Sequence, residues 1–430
     1  MGASMNRDYL KQVIIDQKEI YLNNPVINRD LDLEENVNYC FVGIRRTGKS
    51  YMMYQQIQML EKAGVPVSDI LYVNFEDERL LEVSAADLDV ILEIGLEIAG
   101  EHKPYIFLDE IQNVAGWEKF VRRLADMKYS VSITGSNSKM LSREIASTLG
   151  GRFMIVQVFP YSFREYLHAL GKGKDYPEIL STSEKAEMKK NYEQYVCFGA
   201  FPELVDIRNK RAYLNSIYQT IYIGDILAKN NITNDFAVRL ILKKLAEAVM
   251  KPVSFSRLTN IVRSAGAGIG KQTVINYVGY MIDAYLLFPV YNYAAKLVDK
   301  ETSPKYYFMD TGLLGLLMLD SETAQLENLV AIELIRRYGT ENVFYFESSV
   351  EIDFYIPEAK LAIQVCYSVL DDLSTKEREL TAFDKLHRFI PGSRYLLITN
   401  SEEQELDYND IHVSVVPMWK WLLGDIVTFR

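Results

Sequence analysis

Through the first third of the chain, short apolar runs alternate with stretches of helical spacing. The runs at 38–43, 70–75, 105–109, 130–134 and 153–159 lack in–out alternation, which suits strands buried on both faces. Between them, 50–62, 87–98 and 117–127 read as helices. Strand–helix alternation predicts βαβ units, and so an α/β fold with a parallel sheet covered on both sides. After Pro160 the pattern turns helical. Ser181-x-x-Glu184 is a capping box that opens a helix to about residue 196, and 211–227 is amphipathic and rich in aromatics. A new unit is predicted from about Asn234. It has a helix over 236–250, a shorter helix capped by Ser254 and ending at Val262, a glycine-rich turn at 266–270, a helix over 272–284 and a strand over 287–293. From about Leu313, a helix over 327–338 mixes with strands at 343–346, 351–356, 361–365 and 395–399. The sequence shows no repeat of fixed period.

Composition adjusts this picture at a few points. A chain of 430 residues is too long for one small core, so two to four domains are expected. The net charge of −11 means that any surface for nucleic acid must be a local basic patch. Cys40, Cys197 and Cys366 are odd in number and far apart, which excludes a disulfide framework or zinc-knuckle spacing and favours a reducing compartment. The longest apolar stretch, 281–295, is broken by Asp283 and Pro289, and the N-terminus shows no signal pattern. A cytoplasmic location without membrane contact is therefore expected. The first four residues are set aside as a cloning scar.

The sharpest chemistry lies in the segment from Gly43 to Ser50, which matches G-x-x-x-x-G-K-[ST] in full between a predicted strand and a predicted helix. Glycines let the backbone wrap a phosphate chain with its N–H groups inward, and the helix N-terminus adds positive charge. Gly43, Arg46, Thr47, Gly48, Lys49, Ser50 and Tyr51 form the candidate nucleotide-binding set. Lys49 is expected on the β- and γ-phosphates and Ser50 on Mg²⁺. Arg45 and Arg46 either touch phosphate or pair with Glu76 and Asp77; the sequence leaves both open. The strand 105–109 ends in Asp109-Glu110, at the edge where ligands sit in parallel sheets. Asp109 is the second metal candidate, and Glu110 is the candidate general base for an attacking water. The next strand ends in small polar residues, of which Asn137, or Ser136, can reach the γ-phosphate or the water. Arg152, in Gly-Arg-Phe before the following strand, can stabilise transition-state charge from this chain or from a neighbour.

These segments resemble AAA+-type P-loop ATPases. They most resemble a prokaryotic family that joins such an ATPase to a C-terminal domain of uncharacterised role. The resemblance is carried by Val42–Ser50, Tyr72-Val-Asn-Phe-Glu-Asp77, Phe107-Leu-Asp-Glu-Ile-Gln112 with Trp117, Ile133-Thr-Gly-Ser-Asn137, Gly151-Arg-Phe153 and Pro160-Tyr-Ser-Phe-Arg-Glu165. Phe198-Gly-Ala-Phe-Pro-Glu203 and Glu327-Asn-Leu-Val330 extend it towards the C-terminus. It implies ATP and Mg²⁺ as cofactors, a sensor role for Asn137 and an arginine-finger role for Arg152, and so a homo-oligomer. Four domains are expected: an ATPase domain over 20–165, a helical lid or linker over 166–233, a winged-helix-like domain over 234–310, and a restriction-endonuclease-like α/β domain over 311–430.

Two features bear on what the later domains do. Nuclease sites of the kind implied need an acidic residue on one strand and Glu-x-Lys on the next. Glu351 and Asp353 supply the first part, and Glu327 adds a carboxylate from the preceding helix. Gln364 and Cys366 stand where Glu and Lys are needed, so nuclease activity is not expected. In the winged-helix region Arg257, Arg263, Lys271, Lys296, Lys300 and Lys305 outnumber Asp283, Asp299, Glu301 and Asp310. Gln272, Thr273 and Asn276 open the helix that would enter a DNA groove. DNA and a protein client are thus the candidate partners besides ATP. The expected activity is an ATPase that couples hydrolysis to rearrangement. The alternative is a slow nucleotide-gated switch or scaffold that signals through the C-terminal domain.

Overall fold

The computed structural model describes residues 6–31, 33–34, 37–136, 148–172, 181–295, 303–318, 322–369 and 373–424. The chain divides into two compact units, Met1–Phe159 and Pro160–Arg430.

The first unit opens with α1 (Arg7–Asn23), capped by Asn6, which buries Leu10, Val13, Ile14, Gln17 and Tyr21 at helical spacing. There follow β1 (Asn38–Val42), α2 (Lys49–Lys62), β2 (Ile70–Asn74), α3 (Asp87–Ala99), β3 (Tyr105–Asp109), α4 (Trp117–Asp126), β4 (Val131–Gly135) and β5 (Phe153–Gln157). All five strands run parallel in the order β2-β3-β4-β1-β5. The residues that follow β1, β3 and β4 therefore meet along one edge of the sheet. The inner strands β1, β3 and β4 are buried on both faces, as their unbroken apolar runs require, and so is the edge strand β2. β5 departs from that expectation. It is an edge strand with no described strand paired beyond it, and, unlike β2 at the other edge, it exposes apolar residues, Met154 and Ile155.

The second unit begins with α5 (Phe163–Ala169) and α6 (Thr182–Phe198), both opened by capping boxes; Ser181 and Glu184 close the one that the spacing predicted. α7 (Lys210–Gln219) continues as a π-helical segment, Thr220–Ala228. Three helices follow, α8 (Asp235–Glu247), α9 (Phe255–Ser264) and α10 (Lys271–Asp283), and then the antiparallel hairpin of β6 (Leu287–Asn292) and β7 (Lys305–Phe308). The remaining elements are α11 (Thr311–Leu317), α12 (Glu322–Tyr338), β8 (Phe344–Glu347), β9 (Glu351–Ile356), β10 (Leu361–Val365), α13 (Leu373–Phe389), β11 (Arg394–Thr399), β12 (Gln404–Tyr408), β13 (Ile411–Pro417) and α14 (Met418–Leu423). β6 also pairs in parallel with β8, through Tyr291–Phe344 and Asn292–Tyr345. The hairpin and the C-terminal strands thus form one mixed sheet, ordered β12-β13-β11-β10-β9-β8-β6-β7.

The Phe-Gly-Ala-Phe segment at 198–201 has a packing role here. Gly199 has φ 73°, and a Cβ on it would lie 2.0 Å from Asp310 Oδ1. A Cβ on Gly312 would meet the Phe198 carbonyl oxygen at 2.2 Å. The two glycines let Asp310 sit buried at the start of α11, where it accepts from the amides of Ala200 (2.8 Å), Gly312 (2.9 Å) and Leu313 (3.1 Å).

Burial pushes the Asp310 carboxyl up to about 6, against the downward pull of those three amides. The unfolded value is near 3.8, so the folded chain holds the proton more tightly. The stability this group contributes is full below about pH 4 and is lost as the pH rises through about 6. The advantage of the wild-type chain over Asp310→Asn should therefore grow by about 2.4 kcal/mol between pH 7 and pH 4. Urea titrations at the two pH values check this, and an advantage that stays constant contradicts it.

Candidate nucleotide site

The turn after β1 is shaped by close backbone approach. Gly43 has φ 151°, and a Cβ there would lie 2.3 Å from the Val158 carbonyl oxygen. Arg46 and Gly48 have φ 67° and 90°, and Gly48 leads directly into α2. Thr47 is buried, with its hydroxyl donating to the Ile44 carbonyl at 2.9 Å. The Lys49 ammonium is buried and donates to the carbonyls of Gly43 and Ile44, each at 3.2 Å. Arg45 pairs with Glu76 at 2.8 Å, while Asp77 is taken by Arg79. The Glu76 pair is one of the two alternatives that the sequence left open for Arg45. Tyr51 is exposed in the first turn of α2.

The carboxylates at the end of β3 face this turn. Glu110 Oε1 lies 3.8 Å from Lys49 Nζ. Its other oxygen accepts from Ser136 at 3.0 Å and from the Gln112 amide. The backbone of Glu110 is left-handed, φ 51°, an uncommon state for a residue with a side chain. Asp109 is buried. The Thr134 hydroxyl donates to its Oδ1, the Tyr72 hydroxyl donates to its Oδ2 at 2.8 Å, and Ser50 makes a further side-chain hydrogen bond to it. Burial, and then the charge of Glu110, raise the Asp109 carboxyl above its ordinary range, while these three hydroxyls pull it down. Thr134 also accepts the Glu110 amide at 2.8 Å, so a single hydroxyl fixes both consecutive acids.

The structure thus brings Lys49, Ser50, Asp109 and Glu110 together at one sheet edge. Asn137 lies outside the described residues. Arg152 lies elsewhere: it precedes β5 at the opposite edge, a strand length of roughly 17 Å away. There it donates to Asp126 at 2.5 Å. Three contributors were missed from sequence. Thr134 and Tyr72 point inwards from β4 and β2; both lie in segments that carry the resemblance, but sequence reasoning assigned neither a role. Arg29 precedes β1, is buried, and donates to the Thr47 carbonyl at 2.9 Å and the Phe159 carbonyl at 2.7 Å, tying the loop to the end of the unit. A buried arginine so far upstream gives no periodic signal.

In the second unit, Glu327 on α12 and Glu351 and Asp353 on β9 do converge, but around a lysine. Lys305 Nζ lies 3.1 Å from Glu351, 3.8 Å from Asp353 and 3.9 Å from Glu327, and its side chain is fully buried. Tyr307 donates to Glu327 at 2.7 Å. Gln364 accepts the Asp353 amide at 2.8 Å and donates to the Glu351 carbonyl at 3.2 Å. Burial alone would lower the lysine; the three carboxylates outweigh it and hold the ammonium charged. Among the described residues no group of three or more His, Cys, Asp or Glu is placed to hold a metal ion.

Comparison with known proteins agrees with the geometry of the first unit. Residues 36–167 match an AAA domain, and 189–323 match a domain of unknown function. The chain therefore contains an α/β P-loop ATPase domain of the AAA type. It is 34% identical over 428 residues to an uncharacterized protein of Methanocaldococcus jannaschii, covering 96% of this chain and 95% of that one. An uncharacterized protein of Haemophilus influenzae is 28% identical over 417 residues, 94% and 98% of the two chains. A Walker-type ATPase of Pyrococcus abyssi aligns with 69% of this chain and 99% of its own, at 14% identity and a TM-score of 0.39. The chain belongs to the same family as the M. jannaschii protein. No helix among the described residues is long and apolar enough to cross a membrane.

Replacing Lys305 by methionine leaves three facing carboxylates without their cation. The variant should lose about 3–5 kcal/mol of stability near pH 7.5. It should recover part of that loss by about pH 5, as Asp353 takes up a proton; burial and the Asp353 charge already push the Glu327 carboxyl up to about 8, so it is largely protonated at both pH values. Urea unfolding at both pH values checks it; a loss below about 1 kcal/mol would show the cluster to be energetically idle.

Proposed function

We propose that the chain is a Mg²⁺-dependent ATPase in which nucleotide turnover drives rearrangement of the second unit. The convergence of Lys49, Ser50, Asp109 and Glu110 on one sheet edge carries this reading. The loop amides and the N-terminus of α2 would cradle the phosphates, and Lys49 would exchange its loop carbonyls for phosphate oxygens. Ser50 and Asp109, hydrogen-bonded to each other, form an all-oxygen pair that suits a hard cation. Bound there, Mg²⁺ would supply charge neutralisation across the β- and γ-phosphates. Glu110 would orient and deprotonate the attacking water. Arg152 lies too far from its own loop to assist it, so its proposed finger role acts on a neighbouring copy. One observation favours the slow-switch alternative: Glu110 is already engaged by Gln112, Ser136 and Lys49, and those contacts must be exchanged before it can serve water.

For the second unit we propose a winged-helix reading of α8–α10 with the β6/β7 hairpin. Arg257, Arg263, Lys271, Gln272 and Asn276 are exposed there and available to DNA. A protein client remains the rival partner. We also read the C-terminal sheet as nuclease-like but inactive in cleavage, because the Lys305 ammonium occupies the space between the acids. The free cysteines suit a cytoplasmic location.

Steady-state phosphate release tests the central reading. Glu110→Gln should cut turnover at least about 100-fold while ATP still binds. Rates equal to the no-protein control in both chains, with ATP bound, would leave only the switch. The finger is tested by mixing inactive Arg152→Ala and Lys49→Ala chains. Recovery of part of the activity is expected, because a mixed interface can pair an intact loop with an intact arginine. A mixture as inactive as its components counts against a site shared between copies.

A further inference from the structure

Behind the metal-side carboxylate lies a cluster of three buried tyrosines, Tyr21 on α1, Tyr54 on α2 and Tyr72 on β2, with Tyr21 and Tyr54 ring centroids 5.5 and 5.6 Å from Tyr72. Their hydroxyls are not equivalent. Tyr72 gives its single proton to Asp109 Oδ2 at 2.8 Å. In the 3.2 Å contact between Tyr54 and Tyr72, Tyr54 must therefore be the donor. The Tyr21 hydroxyl, also buried, has no hydrogen-bond partner among the described residues.

The bonded hydroxyls close a ring. Ser50 and Tyr54 lie one turn apart on α2 and so share a face. Ser50 bonds to Asp109, Asp109 accepts from Tyr72, and Tyr72 accepts from Tyr54, which returns to the same helix. α2 carries the loop lysine and the metal-side hydroxyl at its N-terminus, so the ring sets the position of the Asp109 carboxylate relative to Ser50. Thr134 holds only the other oxygen, Oδ1. Without the Tyr72 bond, the Asp109 carboxylate keeps only Thr134 and Ser50 to set its side-chain torsion.

We infer that Tyr72 is a positioning residue for divalent-cation binding, acting through Asp109, with Tyr54 as its support. The inference rests on the ATPase reading proposed above. Removing one hydroxyl behind a liganding carboxylate weakens the metal and leaves the phosphate grip of the loop unchanged.

The test compares wild type, Tyr72→Phe, Tyr54→Phe and Tyr21→Phe by two measurements. One is ATP affinity by calorimetry in EDTA and across a Mg²⁺ series. The other is the Mg²⁺ concentration that gives half-maximal phosphate release. Tyr72→Phe should bind metal-free ATP within about twofold of wild type, while its Mg²⁺ midpoint rises roughly ten- to hundredfold. Tyr54→Phe should move the midpoint in the same direction but less, and Tyr21→Phe, which loses an unbonded hydroxyl, should leave it in place. A Tyr72→Phe midpoint equal to wild type overturns the inference. So does an equal shift in Tyr21→Phe, which would assign the effect to packing. Should Tyr72→Phe fail to fold, Tyr54→Phe decides: a raised midpoint supports the ring and an unmoved one overturns it. A wild-type chain that binds no ATP in any condition defeats the ATPase reading itself, an outcome distinct from an unmoved midpoint in an active enzyme.

Discussion

A carboxylate can stay ionised in a dry interior only if donors surround it, and Asp109 sets that requirement for the whole first unit. Its hydroxyl donors come from three elements: Ser50 on α2, Tyr72 on β2 and Thr134 on β4. Pairing β3 between β2 and β4 puts two of them beside the acid. Placing β1 on the far side of β4 lets the loop and α2 deliver the third. The strand order therefore does chemical work besides covering apolar surface. The same donors link the loop helix to the acidic strand, so that a shift of one is felt by the other.

The second unit solves a similar problem with an internal cation. Lys305 arrives from β7 of the hairpin, Glu327 from a helix and Asp353 from β9, and the charges hold one another in place. Burying one such charge without its partners would cost several kcal/mol, so the cluster fixes where β7, α12 and β9 must lie relative to one another. Asp310 does the equivalent for the 198–201 segment, with backbone amides in place of a cation. In each case two bare glycines or a buried lysine make room for the polar group, and the surrounding apolar core is then committed to one arrangement.

Local sequence carried most of the first unit. Unbroken apolar runs in β1 to β4 read correctly because strands covered on both faces have no polar side to show, and the loop read correctly because its glycines and lysine are contiguous. β5 was legible as a strand but not as an edge, since its neighbours lie elsewhere in the chain. In the second unit the capping box at Ser181 was plain, whereas α13, β12 and β13 did not stand out from pattern alone.

What the sequence determined by itself was the set of contiguous motifs: a phosphate loop between strand and helix, two acids at a strand end, and helices marked by caps and periodicity. These depend on neighbours along the chain. The tertiary structure alone decided that Tyr72 and Thr134 hold Asp109, that Arg29 grips the loop, and that Lys305 fills the space between Glu327, Glu351 and Asp353. Each of those contacts joins residues far apart in the chain. No local preference encodes such a contact; it exists only once sheet order and register have brought the two side chains to the same place.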